Sequence, residues 1–154
     1  MITNYLIVLG TSMFPLSELR GAIPIGIIGF DLNWLWVYVM AVVGNMLPVF
    51  VLPVLWKRIE NKFVNRFALI GKIIHWLFER TRNRFYSNYR RFGNIALILF
   101  VAVPLPVTGA WSGTIAAWLF GIPYKKTLGL IFVGVLISGI IVTAITKGIV
   151  RFAL

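Results

Sequence analysis

The chain has no cysteine, one histidine and only four acidic residues in 154. The missing cysteine excludes disulfides and thiol chemistry. The acids, Glu18, Asp31, Glu60 and Glu79, are scattered, and with the single His75 they make no metal-ligand pattern. No metal or other cofactor is expected, and little acid–base or nucleophilic machinery is available to an enzyme. Charge is scarce altogether: 12% of residues are charged, where a soluble domain carries about 25%. Hydrophobic residues make up 60%, and the mean hydropathy is +0.92. This is the composition of an integral membrane protein. The length suits one membrane domain, residues 1–154, with few spans.

What charge there is leans to one sign. The net charge is +11, and ten of the fifteen basic residues fall between positions 57 and 91. In a soluble protein such a block would suggest nucleic acid. Between apolar segments it reads instead as a cytoplasmic segment obeying the positive-inside rule, with no nucleic-acid partner. The N-terminus has no basic region before its apolar run, and Glu18 and Arg20 follow that run directly. It is therefore expected to be retained structure rather than a signal peptide.

The apolar runs differ in length. Residues 5–14 are too short to cross a bilayer and stop at Pro15; residues 22–30 are equally short, and Asp31-Leu32-Asn33 is turn-like. Residues 34–55 are uncharged and long enough for a full span, with Pro48 and Pro53 expected to kink it and Trp34, Trp36 and Trp56 expected as interface anchors. Residues 56–80 have apolar positions at threes and fours, predicting a basic amphipathic helix on the membrane surface. Lys57, Arg58, Lys62, Arg66 and Lys72 would contact anionic lipid headgroups there, at roughly 1 kcal/mol each. Residues 94–121 are apolar but interrupted by Pro104-Leu105-Pro106, and residues 127–146 form a last uncharged span.

The two halves share this layout. Pro15-Leu16 aligns with Pro104-Leu105 at an offset of 89, and Val43-Gly44 with Val133-Gly134 at an offset of 90. Short, proline-interrupted apolar segments at matching places in two halves point to a transporter binding site. The expected fold is all-α: two inverted repeats, residues 1–55 and 93–154, joined by the basic amphipathic linker 56–92. Each repeat is a re-entrant helical hairpin plus a transmembrane helix. Pro15, Gly21, Pro24, Pro104, Pro106 and Gly109 mark the hairpin breaks. With the basic block inside, the last span of this arrangement ends outside, which puts Lys147 and Arg151 on the side the charge rule disfavours; if the broken segments cross fully instead, both termini are cytoplasmic.

Glu18 and Arg20 are the candidate site. Charged side chains in a membrane segment are functional candidates by default. Two residues apart on a helix they would diverge by about 200°, so an extended hairpin tip is expected, with Pro24 biasing Ile23 away from helix and a half-helix starting near Gly21. Arg20 beside such a helix end suits a phosphate or carboxylate; Glu18 is the candidate proton carrier, and a structural ion pair of Glu18 with Arg20 or another group, closing the hairpin tip, is the competing reading. Asn45, Thr108 and Trp111 supply further polar lining, while Ser112 and Thr114 read better as helix-packing residues.

The segments PLSELRGAIPIG and PLPVTGAWSGTIAAWLFG resemble the putative small multi-drug export protein family, over nearly the whole chain. That resemblance implies a membrane transporter of small amphipathic substrates. Two facing re-entrant hairpins also resemble the DedA superfamily, which implies translocation of phospholipids or polyprenyl phosphates, with Glu18 and Arg20 as the counterparts of its charged hairpin residues. The second hairpin carries no charge, unlike the DedA pattern. A non-transporting membrane scaffold is the competing reading. So short a chain makes a second copy a candidate partner for enclosing a pathway.

The topology has a direct test in a chain without cysteines. Single cysteines at Asn33 and Lys125 are expected to react with impermeant thiol reagents from opposite faces of the membrane; labelling from one face would contradict the inverted arrangement.

Overall fold

The computed structural model describes residues 2–62, 79, 93–105 and 108–153. Every regular element among them is helical. Helix α1 spans Ile2–Met13, and α2 spans Glu18–Pro24 and runs on into a π-helical turn, Ile25–Gly29. The long α3 covers Trp34–Lys62. In the second half, α4 is Ile95–Ala102, α5 is Ala110–Leu119 and the long α6 is Tyr124–Ala153.

Two helices are long and apolar enough to cross a membrane, over Trp34–Trp56 and Tyr124–Arg151. Their outward faces fit that reading. Leu35, Val43, Leu47, Val51, Ile140 and Ile149 are all exposed, and a contiguous apolar surface of this kind is unusual on a soluble monomer. The two helices run antiparallel. Lys147 sits over the Trp34 ring, Tyr38 donates its hydroxyl proton to Leu136 O at 3.2 Å, and Tyr124 donates to Phe50 O at 2.9 Å.

The shorter helices pack on this pair: α1 on α3, α4 on α6, α2 on α6 and α5 on α3. Two glycines set the closest approaches. A Cβ on Gly44 would overlap Leu9 O and the Ser12 hydroxyl of α1; a Cβ on Gly134 would lie 2.7 Å from Val101 Cβ and 3.0 Å from Ile98 O of α4. Lipid supplies no hydrophobic drive for helices to associate, so close backbone approach through small residues carries much of the packing.

Several expectations are corrected. Residues 18–24 are helical, not an extended tip, and Pro24 lies inside the helix. Proline removes one ladder bond and crowds the preceding turn; here the backbone widens into the π-turn that follows, closed by Phe30 N–H on Ile25 O at 3.0 Å. Helix α3 carries Pro48 and Pro53 within it and extends to Lys62, so residues 56–62 continue the same helix instead of opening a separate one, while the span-length apolar stretch ends at Trp56. Trp56 is no interface anchor. It is buried and donates its indole N–H to Thr114 Oγ1 at 3.0 Å. Trp34 and Trp36 are exposed. Arg66, Lys72 and His75 lie outside the described residues, as does Pro106.

Alanine at Gly44 or Gly134 is expected to lower stability by about 1–3 kcal/mol through overpacking. Gly129, which has open space around it, is the control: alanine there should be neutral or slightly stabilising. Denaturant or thermal unfolding of the purified protein in detergent reads the difference.

Candidate functional site

The segment joining α1 to α2 ends in a backbone that ordinary residues avoid. Glu18 has φ +43°, a left-handed conformation that costs a non-glycine residue on the order of 1–3 kcal/mol and recurs at functional sites. It is nonetheless tied into the chain, with its N–H on Phe14 O at 2.9 Å and Gly21 N–H on Ser17 O at 2.8 Å. The Glu18 carboxylate points away from its own segment, towards residues more than ninety positions along the chain.

There it meets the start of α5. Glu18 Oε1 accepts the Trp111 backbone N–H at 3.3 Å, and the Ala110 amide also bonds to it. The first N–H groups of a helix have no partners of their own, and the helix dipole places partial positive charge there. Glu18, only 5% exposed, satisfies both from across the molecule. Gly109, the residue before the helix, has φ +143°, and a Cβ there would overlap the Glu18 carboxylate. Glycine is required at this position for conformation and for space.

Arg20 does the complementary thing. Its Nη1 donates to Leu105 O, and its Nη2 donates to Thr108 O at 3.4 Å. These carbonyls belong to the break between α4 and α5. Arg20 Nη2 also stands 3.9 Å from Glu18 Oε2. Thr108 holds the break in shape: its hydroxyl accepts Leu105 N–H at 3.1 Å and lies 2.8 Å from both Val103 O and Leu105 O, to one of which it donates. Trp111 Nε1–H donates to Met13 O at 3.0 Å, fastening the start of α5 to the end of α1.

The structure thus brings Glu18, Arg20, Thr108, Trp111 and Gly109 into one cluster. It does so through a helical α2, because the left-handed Glu18 turns its side chain towards Arg20. The helix end that meets a charge belongs to α5, not to a half-helix near Gly21. Asn45 stands apart: it is 1% exposed and its Oδ1 has no hydrogen-bond partner among the described residues. Ser112 and Thr114 are buried in α5 and bond the carbonyls of Gly109 and Trp111 at 3.4 Å and 2.7 Å. Sequence reasoning missed the backbone groups of Leu105 and Ala110, which no side-chain pattern announces. It also missed a cavity of about 900 Å³ at the N-terminal end of α3, lined by Asp31, Asn33, Trp34, Lys147 and Arg151 but by neither Glu18 nor Arg20.

Two span-length apolar helices, with Glu18 buried and Arg20 half-buried among the shorter helices beside them, are consistent with a helical membrane protein. The chain belongs to the family described as "Putative small multi-drug export protein", whose sequence profile matches residues 18–141. No curated protein and no solved structure matches the chain.

Gly109→Ala is expected to push the carboxylate off the α5 amides and to lower stability by about 1–3 kcal/mol. Arg20→Lys should be nearly as harmful, since an ammonium is a point donor that cannot fork between two carbonyls. Unfolding in detergent reads both; stability unchanged within a few tenths of a kcal/mol would show that the cluster holds nothing together.

Proposed function

We propose that this protein is a proton-coupled exporter of small amphipathic molecules, with Glu18 as the proton carrier and Arg20 as its partner at the junction of the two halves. One observation carries the reading: both charges of the first break are spent on the backbone of the second, the carboxylate on the amides of Ala110 and Trp111 and the guanidinium on the carbonyls of Leu105 and Thr108. Protonating Glu18 removes the charge that attracts it to the α5 N-terminus and to Arg20. The contact between the halves then weakens in one protonation state and tightens in the other, which is what a coupled transporter needs. Asn45, buried with an unpartnered oxygen, is assigned to the same pathway as a polar contact for substrate.

The architecture we propose is the inverted repeat with two re-entrant hairpins. Gly44 lies 44 − 34 = 10 residues into α3, about 15 Å from its start. Ser12, next to the end of α1, abuts it, which supports an α1–α2 turn that reaches only to mid-span. The pairs Gly44–Leu9 and Gly134–Ile98 are separated by offsets of 90 and 89, matching those of the sequence repeat. The antiparallel α3 and α6 support opposite orientations for the halves. On this arrangement the basic segment 56–92 is cytoplasmic and contacts anionic lipid.

Reconstitution into liposomes tests the function. A quaternary ammonium dye and a polyprenyl phosphate are assayed in parallel, at two pH gradients, with wild type and Glu18→Gln. Dye movement is expected to follow the gradient in wild type and to lose that dependence in Glu18→Gln, which keeps an acceptor for Trp111 N–H but no charge. Movement of neither substrate by wild type would leave the scaffold reading standing. Equal gradient dependence in the variant would remove Glu18 from proton coupling. Movement of the polyprenyl phosphate alone would replace export by lipid-phosphate translocation.

A further inference from the structure

Lys147 and Arg151 are the two cations that the charge rule does not explain. They lie at the α6 end next to Trp34, whereas Lys57, Arg58 and Lys62 lie at the opposite end of α3. Four residues apart on a helix, they share a face and repel each other. Among the described residues neither forms an ion pair with a carboxylate; Lys147 Nζ sits 4.5 Å from the Trp34 ring centre, a cation–π contact. Both line the cavity of about 900 Å³, with Asp31 and Asn33 on its other wall. Two cations against one carboxylate leave that lining net positive.

The cavity does not end at its polar mouth. Trp34 and Lys147 also line a second, apolar groove of about 350 Å³, which continues between α3 and α6 past Tyr38, Ile140 and Ala144. Thr143, on the same groove, is buried, and its Oγ1 has no hydrogen-bond partner among the described residues. An exposed tryptophan at the end of a span marks the headgroup level of a bilayer. A positive mouth at that level, opening into an apolar groove that runs down the span, matches a molecule with an anionic head and a hydrocarbon tail.

We infer that this end of the protein binds one anionic phospholipid, its phosphate between Lys147 and Arg151 and one acyl chain in the groove of Trp34, Tyr38, Ile140 and Ala144. Asp31 faces the hydroxyls of the headgroup. The site is separate from the Glu18 cluster and does not depend on the exporter reading: Glu18→Gln leaves it intact.

The test uses the full chain in lipid nanodiscs with photoreactive phosphatidylglycerol or phosphatidylcholine, each carrying a diazirine in an acyl chain, and maps the labelled peptides by mass spectrometry. Phosphatidylglycerol is expected to label residues 34–38 and 140–147 preferentially. Lys147→Gln with Arg151→Gln should reduce that labelling about thirtyfold, while labelling around residues 57–91 stays as an internal reference. Ala144→Trp, which fills the groove and leaves both cations, should also displace the label. Equal labelling by the two lipids, or labelling unaffected by the double variant, overturns the proposal. Competition by free glycerol phosphate overturns it too, in favour of a soluble phosphate ligand.

Discussion

The structure hangs on a two-sided electrostatic contact. A helix broken inside an apolar protein leaves amides without acceptors on one side of the break and carbonyls without donors on the other, and each such group costs free energy if nothing meets it. A buried carboxylate is costly for the converse reason, and a half-buried guanidinium less so. Glu18 on the amides of α5 and Arg20 on the carbonyls that precede it resolve both problems at once. Neither break would be tolerable with the other half removed.

The surrounding features serve this contact. The left-handed backbone at Glu18 aims the carboxylate, and the glycine at 109 leaves room for it. Thr108 braces the loop whose carbonyls Arg20 reads, and the Trp111 indole ties α5 to the end of α1. Outside the cluster, glycine contacts bring α1 onto α3 and α4 onto α6, while Trp56 bonds Thr114 and the tyrosines 38 and 124 link the two long helices. Hydrogen bonds from aromatic side chains hold the helices in register where apolar lipid gives them no reason to associate.

The proposed switch acts on this contact, whose strength rests on a carboxylate charge that a proton would remove. The second half brings no charge to the contact and meets both charges of the first with backbone groups. At the far end of α6, Lys147 and Arg151 line a cavity together with Asp31, and among the described residues neither forms an ion pair with a carboxylate.

Much of this was legible in the sequence, because it depends on local quantities. An uncharged run of spanning length predicts a span, Pro104 in an apolar stretch predicts a break, and two charges in such a stretch predict a site; all three concern free energies of transfer that each residue carries with it. The pairing of the charges was not legible. Helix α2 was misread because the helical geometry that separates residues two apart presumes ordinary dihedrals, and Glu18 does not have them. Trp56 was misread because its partner, Thr114, lies 58 positions away. The sequence by itself determined the inventory: an apolar chain, two runs of spanning length, two breaks and one pair of opposite charges between apolar segments. Only the tertiary structure decided that the pair would be met by backbone 93 and 85 residues distant, because unpaired amides and carbonyls exist at every helix end and the fold alone selects which charge reaches them.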